Sequence, residues 1–275
     1  MPPLRCRGLT KRYRSRAVVA DVDLDVDAGE VVGFVGPNGA GKTTAIRMLL
    51  GLVRPDAGQA WLLGSEVPCP ARLGAVGAIV EEPAFYPWMT GRRNLEVVAG
   101  AGAPVAAGAI DDALGLTGIA DAAGQKVKTY SQGMRQRLGL AAAVLRGPAI
   151  VILDEPANGL DPAGIHDLRL LVRHLAEAGS SVLLSSHLLG EVEQVCDRVA
   201  VIDGGRMVTG DSVARLRAAG RRVDVTVEAH DVERARTALS AWDVTAGGRG
   251  GLEVHGAGGR EVNACLLYTS DAADE

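Results

Sequence analysis

Four residues with the spacing G-x-x-x-x-G-K-[ST] are the part of this sequence best suited to chemistry. They are Gly36, Gly41, Lys42 and Thr43, inside the segment EVVGFVGPNGAGKTTAIRMLLGL at 30–52. Glycines allow backbone N–H groups to curl around a phosphate, and the N-terminus of a following helix adds positive partial charge. A lysine here reaches the β- and γ-phosphates, and the hydroxyl after it holds Mg²⁺. The spacing therefore predicts a nucleotide phosphate site.

The flanking residues favour this interpretation over a glycine-rich turn that matches by chance. The segment reads as a buried strand before the glycines and a helix after them, which Gly51 and Pro55 bring to an end. A strand, a turn and a helix in this order are the context that a phosphate loop requires. We predict that nine consecutive residues, here called the phosphate loop, contact ATP: Gly36, Pro37, Asn38, Gly39, Ala40, Gly41, Lys42, Thr43 and Thr44.

Two other apolar segments end in groups suited to phosphoryl transfer. AIVILDEP at 149–156 is typical of a parallel strand buried on both faces and ends in Asp154 and Glu155, while SVLLSSH at 181–187 ends in His187. Because ligands bind at the carboxyl ends of parallel strands, these groups should meet the phosphate loop at one edge. We assign Asp154 to Mg²⁺, directly or through water, and Glu155 to the attacking water. ATP hydrolysis is the predicted chemistry.

Simpler roles exist for the same side chains. An acidic pair after a strand can cap a helix, although two in a row before a proline suit that role poorly. A histidine after a strand is usually structural, so the predicted contact of His187 with the γ-phosphate depends on its neighbours. Asp161 and Pro162 are expected to begin a helix that Gly179 ends.

Composition excludes several classes of protein. The 275 residues are 47% hydrophobic, which is enough for one large domain, with or without a small one. A net charge of −4 argues against a nucleic-acid surface or a polybasic membrane anchor. The first residues lack the apolar stretch of a signal peptide, and no run approaches the roughly 20 apolar residues that span a bilayer. Four scattered cysteines without a CxxC motif indicate a reduced, cytosolic setting.

The order of these motifs resembles the ATP-binding subunit of ABC transporters over about residues 4–215. Gly36–Thr44 is similar to that family's Walker A motif, and Val151–Glu155 is similar to Walker B with its catalytic glutamate. NGLDP at 158–162, with Asp161, looks like the D-loop, and His187 looks like the switch histidine. Tyr13 stands where the family stacks an aromatic ring on adenine.

The resemblance also explains YSQGM at 130–134, a polar segment with no evident partner in its own chain. It is similar to the family's signature motif, in which we include Ser131, Gln132, Gly133 and Met134. In that family two subunits hold two ATP molecules head to tail, and the signature of one contacts the γ-phosphate bound to the other. A helix N-terminus suits an anion. Ser131 is also expected to cap that helix, which is compatible with the same role.

Three departures from the family pattern indicate which branch of the family the chain resembles. Glu81 replaces the usual Q-loop glutamine, Gln132 replaces a glycine, and Met134 replaces a glutamine. These variants resemble the exporter branch associated with bacitracin, lantibiotic and multidrug resistance. The resemblance implies ATP and Mg²⁺ as cofactors, a second nucleotide-binding subunit (a homodimer is expected), and a separate transmembrane permease. It implies a cytoplasmic protein held at the inner face of the membrane by that permease, with no nucleic-acid partner.

Three alternatives stay open at this point. A soluble ABC protein acting on ribosomes, DNA or cofactor assembly would need no permease. A nucleotide-binding scaffold without catalysis would fit the departures at Glu81 and Gln132. An importer subunit is the nearest rival, and only the Glu81 and Met134 variants weigh against it.

The predicted fold is α/β: a P-loop NTPase core with a mostly parallel sheet, an antiparallel β subdomain, a helical signature subdomain and a small α+β C-terminal appendage. We place the ATP-binding domain at 1–215 and the appendage at 216–264. CLLYTSDAADE at 265–275 resembles translated adapter DNA and is predicted to be a non-native tail; a frayed terminus is the alternative. Phe85, Tyr86 and Trp88 could form a docking surface for the permease or a small local core.

Overall fold

The computed structural model describes residues 1–102, 104–188, 192 and 194–212, together with three strands within 222–255. The chain divides into two compact units, Met1–Ser212 and Val213–Glu275. The first unit contains two sheets, five α-helices and three short 3-10 helices among its described residues, and the second contains one described sheet.

A six-stranded sheet forms the centre of the first unit, with the strand order β10-β9-β3-β8-β7-β6. Its strands are β3 (Val31–Val35), β6 (Val76–Ile79), β7 (Ile150–Leu153), β8 (Ser181–Ser186), β9 (Arg198–Asp203) and β10 (Arg206–Ser212). All neighbours pair in parallel except β9 and β10. Every residue of β3, β7 and β8 is buried, because helices cover both faces of such a sheet. The predicted parallel core is confirmed.

A second, antiparallel sheet packs beside the first, with the order β2-β1-β4-β5. Its strands are β1 (Leu4–Tyr13), β2 (Arg16–Val26), β4 (Ala57–Leu62) and β5 (Ser65–Glu66). The inner faces of both sheets and the helix α1 (Lys42–Leu49) form one apolar core, in which Phe34 and Ile46 are fully buried. The hairpin of β1 and β2 approaches the phosphate loop so closely that a Cβ at Gly41 would lie 2.4 Å from the Val18 carbonyl oxygen.

Four more helices complete the described part of the first unit: α2 (Gly91–Gly100), α3 (Ala109–Leu116), α4 (Gln132–Val144) and α5 (Pro162–Glu177). The sequence of 92–130 predicts short helices, because GAGAPVAAG at 100–108 interrupts it, and α2 and α3 are short. Ser131 caps α4 by accepting a hydrogen bond from Met134 N at 3.2 Å, and Asp161 caps α5 by accepting one from Gly164 N at 2.8 Å. In the described part of the chain, no helix is long and apolar enough to cross a membrane.

A cluster of charged side chains ties the two sheets of the first unit together. Arg198 Nε donates to Glu30 Oε1 at 2.8 Å, and Arg198 also hydrogen-bonds the backbone oxygen of Asp25. Burial raises the pKa of Asp25, but hydrogen bonds from Arg7 and Arg5 outweigh it and lower that pKa overall. The stability that the ionised Asp25 contributes is therefore present above its unfolded-state pKa and is lost as the pH falls through the lowered one.

The described part of the second unit is an antiparallel sheet with the order β11-β13-β12. Its strands are β11 (Arg222–Val225), β12 (Asp243–Ala246) and β13 (Leu252–His255). The alternating pattern predicts strands in RRVDVTVEA at 221–229 and in GGLEVHG at 250–256, where β11 and β13 lie, whereas β12 was not predicted. The pattern of DVERARTALSAW at 231–242 predicts an amphipathic helix, but this segment and the tail at 265–275 lie outside the described residues.

Candidate active site

The phosphate loop connects β3 to α1 and has the backbone that its glycines predict. Gly39 and Gly41 have φ of 80° and 105°, in the left-handed region that side chains disfavour. A Cβ at Gly36 would lie 2.1 Å from the Ile202 carbonyl oxygen, so that position has no room for a side chain. Gly41 provides no side-chain cap for α1, which leaves the N–H groups of its first turn to face an anion.

Lys42 is the buried cation of this loop, with 5% of its surface exposed. Its Nζ donates to the carbonyl oxygens of Gly36 and Pro37 at 2.7 and 3.3 Å. The same Nζ lies 3.0 Å from Glu155 Oε1 in an ion pair, although no hydrogen-bond donor of the described residues is aligned with that oxygen. The loop therefore holds its ammonium group beside the carboxylate at the end of β7.

The carboxyl ends of β7 and β8 meet beside the phosphate loop. Glu155 has a φ of 48°, unusual for a residue other than glycine, and its Oε2 lies 2.8 Å from His187 Nδ1. Asp154 is 5% exposed. The structure thus brings Lys42, Glu155 and His187 into one chain of contacts, with Asp154 next to it.

Ser185 links β8 to the two acids that follow β7, and it was not predicted from the sequence. Its Oγ donates to Asp154 Oδ1 at 2.6 Å and accepts from the backbone N of Glu155 at 2.9 Å. One feature of the sequence could have indicated this role. Ser185 is a hydroxyl in an apolar segment predicted to be a buried strand, and another such segment ends in two acids. Such a hydroxyl needs a buried partner.

We expect Ser185→Ala to destabilise the protein, because it removes a hydrogen bond to the buried Asp154 carboxylate and leaves an unsatisfied backbone N–H. Hydrogen bonds to charged groups contribute about 2 kcal/mol each, so the free energy of unfolding should fall by about that amount. Urea denaturation measures it. Ser65→Ala, at a partly exposed hydroxyl in β5, is the control and should change little. Equal stability of the Ser185 variant and wild type would contradict this role.

A cleft of about 300 Å³ opens beside these groups. The residues that line it come from four segments of the chain: Thr43, Glu81, Glu82, Pro83, Gln132, Arg135, Gln136, Asp154, Glu155 and Asn158. The predicted residues Thr43, Glu81 and Asp154 therefore share one cavity with Glu155. Tyr13 is not among the lining residues; it lies at the end of β1 with 47% of its surface exposed and Lys11 Nζ 5.8 Å from its ring centre.

The signature segment and the D-loop lie against each other within the chain. A Cβ at Gly159, whose φ is 78°, would lie 2.5 Å from Gln132 Cδ, so the Gln132 side chain packs directly on this glycine. A Cβ at Gly133 would approach the Gly159 carbonyl oxygen to 3.3 Å. Gln136 donates from Nε2 to the Pro156 carbonyl oxygen at 3.0 Å, which ties α4 to the residue after Glu155.

The buried side chain of Asn94 holds the aromatic segment after Glu81 through hydrogen bonds to its backbone. Asn94 is 2% exposed, accepts from Tyr86 N at 2.8 Å and donates to the carbonyl oxygens of Tyr86 and Thr90. Tyr86 and Trp88 are 46% and 62% exposed, with ring centres 5.4 Å apart. Phe85 is only partly buried. Both rings are therefore accessible to a partner.

A phosphate loop that faces a strand-end carboxylate pair and a histidine, at one edge of a mostly parallel sheet, defines a P-loop ATPase. The profile of the ABC transporter family matches residues 19–158. The chain belongs to the ABC transporter family, as its ATP-binding ATPase subunit.

Individual proteins agree with this assignment. The bacitracin transport ATP-binding protein BcrA of Bacillus licheniformis is 42% identical over 208 residues, covering 74% of this chain and 68% of that protein. The daunorubicin resistance ATP-binding protein DrrA3 of Streptomyces coeruleorubidus is 39% identical over 230 residues, covering 80% of this chain and 72% of that protein. A solved ATP-binding subunit of an ABC transporter superposes with a TM-score of 0.72 at 29% identity, covering 78% of this chain and 92% of that one. The family and branch predicted from the sequence are confirmed.

Proposed function

We propose that this chain is the motor subunit of an exporter, which hydrolyses Mg-ATP and drives a separate permease. The observation that carries the ATPase site is the position of Glu155, held between Lys42 and His187 at the mouth of the phosphate loop. The similarity to proteins of bacitracin transport and daunorubicin resistance supports export of a drug, an antibiotic or a lipid-like molecule. We assign the ATPase unit to residues 1–215, the accessory region to 216–264 and a non-native tail to 265–275.

Each residue of the site is assigned a separate role in ATP binding or hydrolysis. Lys42 and the N–H groups of the phosphate loop bind the phosphates, and Tyr13 provides a ring for adenine. When the γ-phosphate draws Lys42 away, the Glu155 carboxylate becomes free to orient and polarise the attacking water. His187, hydrogen-bonded to Glu155, positions that carboxylate and contacts the γ-phosphate.

Thr43 and Asp154 fit a magnesium ion. A hydroxyl and a carboxylate are oxygen ligands of the kind that Mg²⁺ takes, and both line the same cleft. Within the described residues no cluster of three or more His, Cys, Asp or Glu could hold a metal alone, so the nucleotide's own phosphates would complete the site. When bound, Mg²⁺ neutralises charge on the β- and γ-phosphates.

A second nucleotide-binding subunit, most simply a second copy, would complete the site. Ser131 and the N-terminus of α4 would face the γ-phosphate held by that copy. The positive partial charge of this helix N-terminus would attract the phosphate, as it does in the phosphate loop. The packing of Gln132 on Gly159 supports this arrangement, because it lets the signature segment and the D-loop approach a partner as one surface. Glu81 would sense Mg²⁺ and phosphate in each site.

The permease is tested by affinity purification of the tagged full-length chain from detergent-solubilised membranes of its host. We expect a polytopic membrane protein to co-purify, and to be lost in a Tyr86→Ala, Trp88→Ala variant that still binds ATP. The control is Leu170→Ala, an exposed apolar residue on α5 far in sequence from these rings. Recovery only with ribosomal or other soluble partners would overturn the transporter role.

With the permease in inside-out vesicles, ATP-driven accumulation indicates export, whereas depletion of preloaded substrate indicates import.

A further inference from the structure

Arg47 pairs with the acidic residue that stands at the Q-loop position. Its Nη2 lies 2.5 Å from Glu81 Oε1. Glu81 follows the end of β6, has a φ of 62° and lines the same cleft as Thr43. Arg47 belongs to the last turn of α1, the helix that begins with Lys42. With a rise of about 1.5 Å per residue, the Cα of Arg47 lies about 7.5 Å along the axis of α1 from that of Lys42.

The positive charge of Arg47 offsets part of the negative charge that lines this cleft. Four carboxylates line it, although its expected ligand is itself an anion: Glu81, Glu82, Asp154 and Glu155. One arginine, Arg135, lines the same cleft, and its Nη1 donates to the Tyr130 carbonyl oxygen at 2.7 Å. Glu155 is paired with Lys42. Among the ion pairs of the described residues, the one made by Glu81 is with Arg47. An unpaired carboxylate at this place would repel the phosphates of ATP.

We propose that Arg47 is a positioning residue for Glu81: it neutralises and directs this acid, so that a carboxylate can stand in a cleft that binds phosphate. The proposal rests on the proposed ATP binding. It explains how the chain accommodates the charge that distinguishes Glu81 from glutamine. Because one helix carries both Lys42 and Arg47, this contact relates the position of Glu81 to that of the phosphate loop.

A double-mutant cycle tests this with Arg47→Ala, Glu81→Gln and the double variant. The measured quantity is the Kd of ATP in excess EDTA and low salt, obtained by displacing a fluorescent ATP analogue. The pair is partly exposed, so its effect is modest: Arg47→Ala should weaken binding about fivefold when Glu81 is present and less than about twofold when Gln replaces it. The Kd of Glu81→Gln alone is the reference value for the second background. At high salt the difference should shrink.

Equal weakening by Arg47→Ala in both backgrounds, or none in either, would overturn the proposal. Equal weakening would mean that Arg47 contacts the nucleotide or supports α1 independently of Glu81. Arg92→Ala is the matched control, because it breaks an exposed arginine–carboxylate pair with Asp111, also at 2.5 Å, outside the cleft. Arg47→Lys keeps the charge and should retain most of the affinity. A wild-type chain that binds no ATP would overturn the proposed function itself, which separates the two failures.

Discussion

Glu155→Gln lowers steady-state ATP turnover by about 10²–10⁴-fold, the range expected for loss of a general base, while ATP binding persists. The carboxylate lies within 3.0 Å of Lys42 Nζ and 2.8 Å of His187 Nδ1, so it is already placed at the mouth of the phosphate loop. Glutamine keeps the shape and loses the charge. Because that charge faces the phosphates, its removal should leave the affinity for ATP equal or higher.

Phosphate release under saturating Mg-ATP measures turnover, and displacement of a fluorescent ATP analogue measures binding. The matched control is Glu82→Gln, an exposed carboxylate that lines the same cleft without contacting Lys42. It should retain most of the activity. Turnover in Glu155→Gln equal to that of wild type would remove Glu155 from the catalytic role and would favour a different base.

The sequence predicted the phosphate loop, the buried strands β3, β7 and β8, and the caps at Ser131 and Asp161, because each depends on neighbouring residues. Glycine spacing dictates the turn around Gly41, and a continuous apolar run predicts a strand buried on both faces. A serine or aspartate before a helix offers its oxygen to an N–H three residues on. The meeting of these strand ends at one edge followed from the rule for parallel sheets.

Contacts between distant segments were not predictable in this way. Ser185 bonds to Asp154 across 31 residues, and Arg47 pairs with Glu81 across two elements that a pattern of residue types does not place side by side. Gln132 looked like a departure from a glycine, yet its side chain packs on Gly159. The strand β12 has only four residues, DVTA, a length at which alternation is too short to recognise.

Lys42→Ala should weaken ATP binding itself, whereas Glu155→Gln should lower turnover and leave ATP binding intact. Lys42 Nζ is buried and directed by Gly36 O and Pro37 O, so it can meet the phosphates with little loss of side-chain freedom. Two charge-assisted hydrogen bonds, at about 1.5–2 kcal/mol each, correspond to a loss in affinity of about 10²–10³-fold. The variant also leaves the Glu155 carboxylate, 18% exposed, without its cation and facing the phosphates.

That second contribution makes the two substitutions interdependent. In the double variant Lys42→Ala, Glu155→Gln the unpaired carboxylate is absent, so part of the lost affinity should return, about fivefold if the repulsion is that of a partly exposed pair. Isothermal titration with ATP measures all four chains, and Lys128→Ala, an exposed surface lysine, should bind as wild type does. Wild-type affinity in Lys42→Ala would exclude the phosphate loop as the site. An unchanged deficit in the double variant would show that Lys42 acts on the nucleotide alone and that its ion pair with Glu155 does not influence binding.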